Sequence, residues 1–158
     1  LSLAAALTAA IRVWRGRSMV SAAVVGPAVA AAVIAQAAVW GLALPSFEPV
    51  WISTRLVAAA DAAAPCVNPR LVSVGGYNEP SMIFLAGTDT ALATPEEAVA
   101  IAGKASCVVI AVRDEALAAF EETAVAANLP LTGAGTVEGF NISKGDPIHL
   151  DLFVSAAR

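Results

Sequence analysis

The sequence predicts an α/β protein, in which a transmembrane helix precedes a three-layer α/β domain with a mostly parallel sheet and a C-terminal antiparallel hairpin. Two observations lead to this prediction. Residues 18–47 contain no charged side chain, whereas acids and bases are mixed from Glu48 onward. In that second part, β-rich runs alternate with helical patterns and then give way to two alternating strands, as in a sheet covered by helices. The expected parts are the end of a transmembrane region, 1–44, and an extracytoplasmic α/β domain, 45–158.

The uncharged segment is long enough to cross a membrane. A span needs about 20 apolar residues, because a helix rises about 1.5 Å per residue and the hydrocarbon core is about 30 Å thick. Residues 18–44 meet this requirement; Trp40 suits the membrane interface, and a spanning helix tolerates Pro27 when neighbours satisfy the freed carbonyl. A buried Ala-rich core helix is the alternative, although such helices rarely lack charge over this length. A cleaved signal peptide fits less well, because the apolar run is too long.

Three arginines at the amino-terminal end of this span predict its orientation. Arg12, Arg15 and Arg17 form a loop, 12–17, and cytoplasmic loops are enriched in Lys and Arg. The domain after the span is therefore expected outside the cytoplasm. The apolar residues 1–11 indicate the exit of another span, so we interpret the chain as the C-terminal piece of a longer polypeptide. The absence of a Lys/Arg cluster beyond this loop argues against nucleic acid as a partner.

The first elements of the domain follow from periodicity and capping. Residues 48–64 carry apolar side chains at helical spacing and predict an amphipathic helix. Residues 70–76 are a β-rich run closed by two glycines, which indicates a strand and a sharp turn. Thr94 and Glu97 form a capping box around Pro95, which favours the start of a second helix.

The later elements complete the predicted sheet. Residues 107–112 are a short continuous apolar run, typical of a strand buried on both faces. Residues 114–128 have acids in the first turn and predict a helix. Residues 136–143 and 148–155 alternate apolar and polar side chains and are joined by a turn sequence, so they predict a closing β-hairpin.

Glu79 is the one candidate for substrate binding. A parallel sheet needs a crossover after the first strand, and a short helix with Pro80 in its first position supplies it, capped by Asn78 or Glu79. A strand over 81–87 is the alternative, which periodicity does not exclude. A carboxylate at a helix amino terminus would repel an anion, and no glycine-rich phosphate motif is present, which argues against nucleotide binding. We interpret Glu79 as a cap or docking residue; a catalytic or sugar-contacting role is the alternative.

The two cysteines, Cys66 and Cys107, are candidates for a disulfide. Both lie just before or at the start of predicted strands, and disulfides persist outside the cytoplasm. Two buried free thiols are the alternative, because the Cα separation decides whether a bond can form. Their spacing does not fit metal ligation.

His149, the only histidine, lies on the last predicted strand. A single imidazole gives neither a metal site nor a catalytic triad, so no metal site is predicted, and His149 is interpreted as an edge-strand residue. Asp146 and Asp89 are interpreted as turn residues. No Ser or Cys lies in a nucleophile motif, and no catalytic residue is assigned.

Two segments resemble a known family. "GYNEPSMIFLAGTDT", 76–90, and "GFNISKGDPIHLDLF", 139–153, are similar to the Gly-Tyr-x-Glu-Pro-Ser segment and the Gly-Phe-Asn hairpin of polyprenyl-phosphate-dependent membrane glycosyltransferases. This family includes the bacterial aminoarabinose transferase of lipid A and is related to protein O-mannosyltransferases. A last span leading into an extracytoplasmic α/β domain also matches the layout of that family.

The resemblance implies a parent enzyme that moves a sugar from a polyprenyl-phosphate donor to a lipid or glycan acceptor. It implies a location in the bacterial inner membrane, with 45–158 on the periplasmic side, next to membrane lipid and to an upstream transmembrane bundle of the same chain. Catalytic acids of that family lie far upstream, so this segment is expected to be a capping domain without cofactor; a divalent cation would belong to the upstream part. A membrane-tethered binding or scaffold module without catalysis is the alternative.

Overall fold

The computed structural model describes residues 2–16, 21–142 and 144–155. The chain divides into two compact units, Leu1–Phe47 and Glu48–Arg158. The predictions made for Arg17, for the start of the span at 18 and for the end of a strand at 143 lie outside the described residues.

The first unit is helical. Its helices are α1, Ser2–Trp14, and α2, Ala22–Ala38; the latter continues through a π-helical turn, Val39–Ala43, into α3, Leu44–Ser46. Together, α2, the π-helical turn and α3 form one helix of 25 residues that is long and apolar enough to cross a membrane. It is the only such helix in the described part of the chain.

Pro27 lies inside α2 without ending the helix. Proline has no N–H, so the carbonyl four residues earlier, that of Ala23, loses its usual helical donor. Arg12 of α1 donates from Nη1 to this carbonyl at 2.9 Å. A neighbouring side chain therefore satisfies the freed carbonyl, which is the condition under which a spanning helix tolerates proline.

The second unit is a five-stranded mixed sheet with helices on both faces. Its strands are β1, Arg70–Val74; β2, Ala91–Ala93; β3, Val108–Arg113; β4, Leu131–Asn141; and β5, Asp146–Ser155. The strand order is β2-β1-β3-β5-β4. The first three strands are mutually parallel, and β5 runs antiparallel to β3 and β4. The predicted α/β fold class, with an N-terminal apolar helix and an antiparallel C-terminal pair, is confirmed.

Two hydrophobic cores lie on opposite faces of this sheet. The helices are α4, Ile52–Ala63; α5, Pro80–Ala86; α6, Pro95–Ala102; and α7, Asp114–Ala126. Leu56 of α4 and Met82 of α5 share one core with Val109, whereas Phe120 of α7 shares the other with Ile110. Successive residues of β3 alternate between the cores, because side chains of a strand point to opposite faces.

Most element boundaries lie near those that local sequence signals predict, and strand pairing shifts some of them. Thr94 and Glu97 form the predicted capping box, with both reciprocal hydrogen bonds present. The segment after Glu79 is a helix rather than a strand. However, β4 begins at Leu131, earlier than the predicted 136, because the glycine-rich residues that precede 136 pair with the end of β5 around a register shift between Gly133 and Gly135.

Candidate functional site

Glu79 occupies the N-cap position of α5, but its side chain makes no capping hydrogen bond. Its Oε2 instead lies 3.4 Å from the hydroxyl groups of Tyr77 and Ser81, both of which can donate to it. These distances exceed those of strong O–H···O bonds, which are about 2.7 Å. The backbone position therefore agrees with a cap, and the carboxylate belongs to a small cluster of hydroxyl groups.

That hydroxyl cluster, formed by Ser53, Tyr77, Glu79 and Ser81, connects α4 to the start of α5. Ser53 Oγ lies 2.9 Å from the Tyr77 hydroxyl and 2.8 Å from Ser81 Oγ. Burial raises the pKa of Tyr77 to about 12; the hydrogen bond from Ser53 opposes this shift, and the charge of Glu79 adds to it. A phenol with this pKa stays neutral at physiological pH, so the Tyr77 hydroxyl remains a hydrogen-bond donor within the cluster.

The Gly-Phe-Asn segment meets the same helix from the sheet side. A Cβ at Gly139 of β4 would overlap the side chain of Ile52 and would lie 2.6 Å from the carbonyl oxygen of Pro49. The neighbouring Glu138 carbonyl accepts a hydrogen bond from Arg55 Nη1 at 2.8 Å. The backbone of β4 is thus in direct contact with the amino-terminal end of α4. Only a glycine at 139 permits this contact, because any Cβ there would overlap Ile52.

A second polar cluster surrounds His149 on β5. Glu138 lies directly opposite it on β4, and Nδ1 of His149 is 3.1 Å from Glu138 Oε1. The other ring nitrogen, Nε2, is 3.5 Å from Asp151 Oδ1 and 3.9 Å from Asp114 Oδ1. One imidazole is therefore enclosed by three carboxylates, which come from β4, β5 and the first residue of α7.

The electrostatics of this cluster favour a cation. Desolvation lowers the pKa of His149, but the charge of Asp114, the hydrogen bond to Glu138 and the charge of Asp151 together raise it above its ordinary value. An open cleft of about 530 Å³ borders the cluster and is lined by Asp114, Glu138, His149, Arg55 and Phe140, among others. The cluster is therefore accessible to a ligand from solvent.

A disulfide joins Cys66 and Cys107, whose Cα atoms are 6.1 Å apart. It connects the segment between α4 and β1 to the residue that precedes β3. The Cys107 carbonyl also accepts a hydrogen bond from the Arg70 N–H at 3.0 Å. The amino ends of β1 and β3 are thus connected by a backbone hydrogen bond and by the disulfide.

The sequence interpretation of His149 as a lone imidazole on an edge strand was wrong on the strand, because β5 lies between β3 and β4, and it did not include the neighbours of the imidazole. Asp151 lies two residues further on the same strand, so both side chains share one face of the sheet. Asp114 follows β3 directly, and β3 pairs with β5. The His-x-Asp spacing on a strand, together with an acid after a buried strand, was the available signal, but it becomes specific only once the strand order is known.

The architecture defines a mixed α/β domain preceded by an apolar helix long enough to span a membrane. Comparison with protein families, curated protein sequences and solved structures finds no match for this chain.

Proposed function

We propose that residues 45–158, of which Glu48–Arg158 form one compact unit, are an extracytoplasmic domain at the C-terminal end of a polyprenyl-phosphate-dependent membrane glycosyltransferase. The parent enzyme would transfer a sugar from the polyprenyl-phosphate donor to a lipid or glycan acceptor at the outer face of the bacterial inner membrane. In this proposal, the domain holds no catalytic residue. It braces the upstream transmembrane bundle and contacts membrane lipid.

The observation that carries this proposal is the meeting of both family-like segments on one helix. Tyr77 and Ser81 of the first segment contact Ser53 of α4, and Gly139 of the second segment contacts Ile52 of α4. These contacts hold the start of the helix that follows the apolar span in sequence. Two motifs that fix one helix are suited to positioning a domain where the chain leaves the membrane.

The proposed location is supported by charge and by cysteine chemistry. Arg12 and Arg15 precede the apolar helix, which favours a cytoplasmic amino-terminal end for that span. The disulfide between Cys66 and Cys107 is of the kind that persists in oxidising compartments such as the periplasm.

A donor-dependent sugar-transfer assay on membranes that contain the full-length parent tests the proposal. The variants are a deletion of residues 48–158, Glu79→Ala, and Glu121→Ala as an exposed acidic control on α7. We expect transfer to be lost in the deletion and retained in both point variants, each present in the membrane at wild-type level. Transfer that survives the deletion would refute a bracing role. Loss of transfer in Glu79→Ala, with transfer retained in Glu121→Ala, would place Glu79 at the reaction site.

A membrane-tethered binding module is a second candidate, and the open charged cleft beside His149 favours it. The two candidates differ in what the parent contains upstream. A bundle of many spans with paired acids in its first outer loop supports the transferase, whereas a single anchor supports the binding module. Sequencing the parent gene upstream of this segment distinguishes them.

A further inference from the structure

We propose that Asp114, His149 and Asp151 form a binding site for a divalent transition-metal ion, Zn²⁺ foremost. This site does not depend on the glycosyltransferase proposal, because it rests only on the geometry of the cluster around His149. Each residue offers one ligand atom, and the three atoms lie within 4.8 Å of one another.

The distances from Nε2 of His149 to the two aspartates approach those of a tetrahedral metal site. Nitrogen and oxygen ligands bind Zn²⁺ at about 2.0–2.2 Å, which separates neighbouring ligand atoms by roughly 3.3 Å. Nε2 of His149 lies 3.5 Å from Asp151 Oδ1 and 3.9 Å from Asp114 Oδ1. The side chain of Asp114 is 63% exposed, so a small rotation toward Nε2 meets little packing resistance.

Glu138 orients the imidazole for this role. Metal-bound histidines donate their second ring N–H to a carboxylate or carbonyl, which fixes the tautomer. In the tautomer whose proton is on Nδ1, this nitrogen donates to Glu138 at 3.1 Å, and the unprotonated Nε2 lies 3.5 Å from Asp151 Oδ1 and 3.9 Å from Asp114 Oδ1. That arrangement is repulsive unless a proton or a metal ion occupies the space at Nε2.

Two arginines near the cluster have hydrogen-bond partners other than its three carboxylates. Arg113 pairs with Asp146 at 2.9 Å and with Glu115 at 3.2 Å. Arg55 donates to the backbone carbonyl of Glu138. Three carboxylates thus converge on one imidazole, and a divalent cation neutralises them more completely than a single proton.

The sheet fixes the backbone positions of the ligands. His149 and Asp151 are fixed by the pairing of β5 with β3 and β4, and Asp114 directly follows Arg113, whose register partner is Leu150. Three protein ligands leave a fourth position for water or a substrate atom, as in catalytic zinc sites. Two of the proposed ligands, Asp114 and His149, also line the cleft that contains Arg55 and Phe140.

Calorimetric titration of the full chain with Zn²⁺, in detergent micelles after removal of metal by a chelator, tests the site. We expect saturable binding of one ion per chain. The affinity for Zn²⁺ should fall at least tenfold in His149→Gln and in Asp151→Asn. It should fall about 10–100-fold in Glu138→Gln, because Glu138 orients the His149 imidazole. Glu121→Gln on α7 should bind like wild type. Circular dichroism of each metal-free variant shows whether the fold is retained.

Nuclear magnetic resonance of the single histidine provides a second readout that does not depend on the heat of binding. Zn²⁺ should shift the Nε2 resonance of His149 far more than that of Nδ1, because only Nε2 faces the metal. Absence of saturable binding, or unchanged binding in folded His149→Gln and Asp151→Asn, would overturn the proposal. An imidazole that titrates with pH identically with and without Zn²⁺ would do the same and would assign the space at Nε2 to a proton.

Discussion

Gly139 of β4 lies in direct contact with Ile52 of α4, and no space remains between them for a side chain. A Cβ at this position would also lie 2.6 Å from the carbonyl oxygen of Pro49. The obstacle therefore includes backbone, which cannot rotate away as a flexible side chain can. Gly139 therefore allows β4 to lie against the amino-terminal end of α4 at this short distance.

The variant Gly139→Ala should destabilise the domain by about 1–3 kcal/mol, because overpacking forces either Ile52 or the backbone to move. Denaturant unfolding of the full chain measures the change. Gly133→Ala is the matched control, since Gly133 lies on the same strand and a Cβ added there would meet nothing within 4 Å. Equal stability of the two alanine variants would contradict the close contact.

The tyrosinate absorbance of the chain should titrate with a midpoint of about 12, against about 10 for a free tyrosine. Tyr77 is the only tyrosine, so the signal reports this side chain alone. Because folding raises its pKa, its stabilising contribution is fully present below pH about 10 and is lost as the pH rises toward 12. The stability of the folded chain should therefore decline over that interval.

Glu79→Gln should lower this midpoint, because the Glu79 charge and its hydrogen bond from the Tyr77 hydroxyl both raise the pKa of Tyr77. Ser53→Ala should raise the midpoint, since the hydrogen bond from Ser53 lowers that pKa. The two substitutions thus shift one signal in opposite directions. A midpoint near 10 in the folded wild-type protein would show that Tyr77 is exposed and that the hydroxyl cluster does not form.

The disulfide should leave no free thiol in the unreduced protein. The chain has two cysteines, so thiol titration in denaturant reports this bond directly. Replacing both Cys66 and Cys107 with serine should destabilise the domain by roughly 2–4 kcal/mol, since the bond closes a loop with a sequence separation of 41. Two titratable thiols before reduction, or a double-serine variant as stable as wild type, would argue against it.

Arg12→Ala should destabilise the helical unit more in the wild-type chain than in a Pro27→Ala background. In the wild type, Arg12 supplies the hydrogen bond that Pro27 cannot give to the Ala23 carbonyl. An alanine at 27 restores the backbone N–H, so the arginine contact becomes partly redundant. A double-mutant cycle on the helicity of the full chain in micelles, unfolded with denaturing detergent, measures this coupling. Additive effects would contradict the compensation.

Several local features of the domain were predictable because each depends on neighbours in sequence. The capping box of Thr94 and Glu97 needs only side chains three residues apart, and it is present as predicted. The start of β4 was less predictable, because its first residues are extended only through their pairing with β5. Glu79 was placed correctly at the start of a helix, but Ser53 of α4, which completes the hydroxyl cluster, is 28 residues from Ser81 and 24 from Tyr77.

By itself, the sequence determined the α/β class and the apolar helix, because hydrophobic period and absence of charge are properties of continuous segments. Only the tertiary structure decided which polar groups meet. Asp114 and His149 are distant in sequence, and they become neighbours because β5 pairs antiparallel with β3 and places its first half beside the start of α7. Strand order depends on the packing of the whole sheet, and no local pattern in a single chain specifies it.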